Sequence, residues 1–118
     1  MPSEHEATRR WLNDIRHHIA MAEGFIAGLT FVDFVDSNLH LFAVTRCLEV
    51  ISEASRRLPV SLKERHPGLQ WKAMAAAGNI YRHEYEDVAA QEVWDTVTLH
   101  LLPLRAVIEI ELAALEDG

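Results

Sequence analysis

The sequence predicts a single all-α domain, an antiparallel bundle of four to five helices, on three observations. Apolar residues recur at spacings of three and four along most of the chain. Glycine (5) and proline (4) are scarce, while Ala, Leu and Glu are common, which favours helix over a turn-rich β fold. The length of 118 residues suits one domain, residues 1–118, and leaves no room for two.

The elements follow in order. Ser3 to Glu6 reads S-x-x-E, a capping-box start. Trp11, Leu12, Ile15, Ile19 and Ala22 then mark a first helix, with Gly24 and Gly28 bracketing its end. Thr30 and Asp33 look like a second cap, before a short turn through Phe34 and Val35. A long helix should run from about Ser37 to Leu58. Leu41, Val44, Leu48 and Ile51 form one apolar row on it, and Ala43, Cys47, Val50 and Ala54 a second. Two adjacent rows mean cover on more than one side, as in a central helix or one at a subunit interface. Pro59 stops that helix, Ser61 to Glu64 reads as a third capping box, and His66-Pro67-Gly68 breaks the chain again. A helical pattern resumes at Gln70 with Trp71, Met74 and Ala75. The last helix, about Ala89 to Leu115, carries Val93, Trp94, Val97, Leu101, Leu104, Ile108 and Leu112, and Pro103 within it predicts a kink. Short loops make neighbouring helices antiparallel.

Composition bounds the function. Hydrophobic residues make up 49% and charged residues 25%, enough to bury a core and remain soluble. The formal net charge of -7 disfavours bulk non-specific binding to nucleic acid but allows a local basic cleft. The one cysteine, Cys47, rules out a disulfide within the chain and reads as an inert core thiol of a cytoplasmic protein. No signal core and no membrane-spanning run is expected. Metal binding is not expected either. His17 and His18 are adjacent and point apart, and His40, His66 and His100 lack partners at ligand spacing. Trp11, Trp71 and Trp94 read as core or interface anchors.

One segment is chemically loaded. Asn79, Arg82, His83 and Glu86 fall at i, i+3, i+4 and i+7, on one side of a helix. Histidine moves a proton near neutral pH, arginine holds a phosphate and the charge developing on it, and asparagine can orient a neighbour. The set could handle a phosphodiester without a metal or other cofactor. A solvated helix face would look the same. Elsewhere, Arg46, Glu49 and Glu53 share an arc of the long helix with Leu39, Phe42 and Val50. Charges amid apolar neighbours should pair or line a cleft. They are candidates either for a wall supporting His83 or for an ion-pair network at a dimer seam.

From about Leu12 to Leu112 the chain resembles the HepT-like branch of the HEPN superfamily. The landmarks stand in order: RCLEVISEA at Arg46–Ala54, Leu58-Pro59 with LKERHP at Leu62–Pro67, Gln70-Trp71 with Met74-Ala75, and His83-Glu84-Tyr85, which resembles the family's H-x-Y. VWDTV at Val93–Val97 and Leu102-Pro103-Leu104 resemble its closing helix. The resemblance implies a dimeric HEPN-like bundle and a metal-independent endoribonuclease toxin, paired with a minimal nucleotidyltransferase antitoxin. In that family an Arg and a His spaced R-x4-H line a cleft between two subunits, and the antitoxin adds AMP to the motif Tyr. The resemblance thus implies His83 as catalytic, Tyr85 as the modified residue, and Asn79 as the Asn that follows the motif Arg. The chain departs from the pattern at Gly78, which stands where the Arg should be. Arg82 is the nearest cation, about 100° around the helix axis from His83. Either Arg82 substitutes, and the domain cleaves RNA, or the domain keeps the fold and the nucleotidyltransferase contact as a catalytically degenerate binding partner.

Overall fold

The computed structural model describes residues 3–76 and 86–117, and all the regular structure among them is helical. α1 spans Glu4–Ile26 and α2 spans Phe31–Val35. α3 spans Asn38–Arg57 and α4 spans Val60–Glu64. α5 is helical over residues 71–76. α6 spans Glu86–Asp95, a π-turn Thr96–His100, and α7 Leu101–Asp117.

Three starts are set by side chains that satisfy orphan backbone donors. The Glu6 amide donates to Ser3 Oγ at 3.1 Å. Thr30 and Asp33 exchange reciprocal 3.1 Å bonds, a complete capping box. The His40 amide donates to Ser37 Oγ at 3.3 Å. The expected third box at Ser61–Glu64 does not form. α4 starts at Val60, with Pro59 as its cap and no side-chain cap bond. The Pro59 carbonyl accepts from the Leu62 and Lys63 amides at 3.1 and 3.2 Å, so Ser61 already lies inside the first turn. Past the end of α1, Gly28 adopts φ +79°, the left-handed conformation that glycine takes without strain.

α1, α3 and α7 make the frame. The guanidinium of Arg57, at the end of α3, lies 5.7 Å from the ring of Trp11, near the start of α1. Arg16 meets Glu109 at 3.5 Å, and Arg105 pairs with Glu23. α1 is therefore antiparallel to both α3 and α7. Leu12, Ile15 and Ile19 of α1, Val44 and Ile51 of α3, and Leu104 and Ile108 of α7 share one buried core. Phe34 of α2 closes one end against Trp94, with ring centroids 5.4 Å apart. The first apolar row read on α3 is buried throughout, and in the second Cys47 and Ala54 are buried while Ala43 and Val50 are half-buried.

The last helix is irregular close to Pro103, where the sequence predicts a kink. The irregularity comes a turn earlier, where the Leu101 amide donates to the Thr96 carbonyl across five residues. Proline lacks a donor for the carbonyl four residues back and would press on it. A π-turn shifts the ladder just before that point and relieves the clash. Thr96 and Thr98 reinforce it, their hydroxyls donating at 2.8 Å to the carbonyls of Glu92 and Trp94.

Candidate functional site

The motif residues Gly78, Asn79, Arg82, His83 and Tyr85 lie outside the described residues. The structure does describe the side of the bundle from which that segment departs. α5 enters it after three polar attachments. Trp71 Nε1 donates to the His66 carbonyl at 3.0 Å, pinning the start of α5 across the Pro67–Gln70 turn. Ser52 Oγ and Arg56 Nη1 both donate to the Ala75 carbonyl at 2.9 Å, fixing its far end to α3.

Glu53, one of the three α3 charges singled out in the sequence, orients that clamp. It accepts from Arg56 Nε at 3.1 Å and from Arg57 Nε at 3.0 Å, and the Arg56 bonds chiefly hold its carboxyl below the usual range. Arg46 is exposed and Glu49 half-buried on the same helix. Leu39 and Phe42 beside them are 76% and 64% exposed, so in one chain this arc is a surface and not a core.

A second polar cluster lies under α5, and sequence reasoning missed it. Glu111 is buried on α7. It accepts from Arg65 Nη2 at 2.6 Å and Arg65 Nε at 3.3 Å, a two-pronged grip. His66 Nε2 is 2.6 Å from Oε2, the oxygen that also accepts from Arg65 Nε. An ionised carboxylate only accepts, so the His66 proton sits on Nε2. The Arg65 bonds hold the Glu111 carboxyl below its ordinary value against the opposing effect of burial, with His66 adding to the shift. One signal was available: Glu111 interrupts the apolar stripe of Leu104, Ile108 and Leu112, and a carboxylate there needs a partner.

Between residues 68–74 and the turn of Thr96, His100 and Pro103 lies a half-open pocket of about 340 Å³. Among the described residues no group of three His, Cys, Asp or Glu could hold a metal ion, and no helix is long and apolar enough to cross a membrane.

Residues 15–110 match the family described as ribonuclease HepT-like. The chain belongs to the HepT-like ribonuclease family. Among this HepT-like chain's relatives is a probable ribonuclease HepT of Thermococcus cleftensis, 34% identical over 99 residues, 84% of this chain and 90% of the relative. A protein of Methanocaldococcus jannaschii named "Putative RNase MJ0125" is 27% identical over 109 residues, 92% of this chain and 94% of that one. No solved structure matches. At the level of the family, then, the HepT-like domain is an RNase-type enzyme on a helical bundle.

Proposed function

We propose that this HepT-like domain is the toxin of a toxin–antitoxin pair, a cytoplasmic endoribonuclease that works without a metal. The observation that carries the reading is the family match over residues 15–110, which contains His83-Glu84-Tyr85. His83 accepts the proton of a ribose 2′-hydroxyl as that oxygen attacks the adjacent phosphorus. A new P–O bond forms and the bond to the 5′-oxygen breaks. The proton passes to the departing oxygen, leaving a 2′,3′-cyclic phosphate and a 5′-hydroxyl. Arg82, or a residue from a second copy of the chain across a dimer cleft, stabilises the charged phosphorane. Asn79 holds the geometry. Arg46, Glu49 and Glu53 form the α3 wall behind it. Tyr85 is the point at which a minimal nucleotidyltransferase adds AMP, whose bulk and charge then bar RNA.

One observation favours a second reading. Gly78 stands where the family's Arg would be, and losing one well-placed donor costs roughly 10²–10³ in rate. Under that reading the domain binds the nucleotidyltransferase and no longer cuts. Purified protein incubated with RNA in EDTA, beside His83→Ala and Arg82→Ala, separates the two. Cleavage by the parent that both variants lose supports the nuclease. Intact RNA in every lane leaves the binding partner standing and removes the enzyme.

A further inference from the structure

We propose that the pocket between α5 and the π-turn is a nucleobase subsite, which takes the base beside the phosphate that is cut. This rests on the nuclease reading above. The first argument is the lining. Leu69, Ala73, Met74 and Pro103 give the pocket apolar walls, while Gln70 and His100 stand exposed at its edge. Neither of those two side chains has a partner among the described residues. A heterocyclic base has apolar faces and a polar edge, so walls and rim match it in kind. A volume of about 340 Å³ sits at the small end of the roughly 300–1,000 Å³ typical of ligand sites. It suits one base with its ribose.

The second argument is position. Ala73 and Met74 belong to α5, and Ala75, the next residue, is clamped by Ser52 and Arg56. The chain then runs directly into the motif segment, so the pocket wall lies next to the motif along the chain.

The third argument is charge. RNA-binding proteins usually grip phosphates with free cations. Here Arg16, Arg56, Arg57, Arg65 and Arg105 are each spent on a carboxylate of the same chain, and the net charge is -7. Those pairs remove part of the positive charge that would hold RNA, and contacts to the faces and edge of a base can supply part of the hold instead.

The test measures binding and not cleavage. The parent is titrated calorimetrically with each of the four ribonucleoside 5′-monophosphates, and with ribose 5-phosphate as the probe that lacks a base. At least one nucleotide should bind saturably and about tenfold or more tighter than ribose 5-phosphate. Ala73→Phe, which fills the pocket, should weaken that nucleotide about tenfold. Gln70→Ala and His100→Ala alter only exposed side chains, and each should weaken it about threefold or more with an unchanged circular dichroism spectrum. Nucleotides that bind no tighter than ribose 5-phosphate overturn the subsite, and so does binding left intact in both exposed-residue variants. A parent that binds nucleotides as expected but never cuts RNA removes the nuclease reading and leaves a nucleotide pocket, so the two failures are distinguishable.

Discussion

The α1–α3–α7 frame and the α5 side of the bundle share one core but differ in the polar ties added to it. The frame is closed by interlocking aliphatic rows, with Leu12, Ile15, Ile19, Leu104 and Ile108 fully buried. α5 packs Trp71 and Met74 against the same core and is also tied through named polar atoms: an indole donating to the His66 carbonyl, and a hydroxyl and a guanidinium sharing the Ala75 carbonyl. Burial is non-directional and tolerates small shifts, whereas hydrogen bonds fix direction. A frame of the first kind gives stability. An attachment of the second kind fixes the direction of α5, the last described helix before the motif segment. Damage to the two regions should therefore read out differently.

The largest effect should come from the frame. Leu104 is fully buried where α7 meets the core. Leu104→Ala removes its transfer free energy and leaves a cavity that the rows can only partly close, a loss of about 2–5 kcal/mol. Urea denaturation checks this. A loss under about 1 kcal/mol would mean that α7 is not part of the frame.

The frame is also the part that the sequence made legible. The period of the α1 and α3 rows needs no partner to be seen, because it is local. The all-helical class, the caps at Ser3 and Thr30, the start of the long helix near Ser37, and the disturbance near Pro103 follow from the same kind of signal. One local signal misled: Ser61 to Glu64 has the residues of a capping box, but Pro59 starts the helix earlier. Near Pro103 the irregularity takes the form of the π-turn just upstream. The α5 side was illegible for a different reason. Glu111 meets His66 and Arg65 across 45 and 46 residues, and Ser52 meets Ala75 across 23. No spacing rule reaches that far. The motif residues Asn79, Arg82, His83 and Tyr85 were singled out by type and by family pattern, and they lie outside the described residues.

A smaller effect, with a pH signature, should come from the joint under α5. Glu111→Gln keeps the shape but weakens the bonds from Arg65 and His66, with an expected loss of about 1–3 kcal/mol at neutral pH. The folded-state pKa of Glu111 is depressed, first by Arg65. Its contribution is therefore complete above the ordinary glutamate value of about 4.3 and fades as pH falls below that value and through the folded-state one. The parent should lose stability over that interval, and Glu111→Gln should lose less of it. Thermal melts at pH 7, 5, 4 and 3 test the sign. Parallel curves would show that the carboxylate is not differentially stabilised, and that the joint is held by packing like the frame.

The smallest effect should come from the clamp, where its form says more than its size. Ser52 and Arg56 donate to the same carbonyl, each at 2.9 Å. Removing one donor leaves Ala75 still bonded by the other. Ser52→Ala and Arg56→Ala should each cost no more than about 1 kcal/mol. The double variant leaves that carbonyl without either donor, so its loss should exceed the sum of the singles by about 0.5 kcal/mol or more. Strict additivity would mean that water replaces the donors freely and that the α5 end is not held by them. Coupling would establish the contrast directly: distant core deletions in the frame should add, whereas the two donors at the mouth of the motif act as one device.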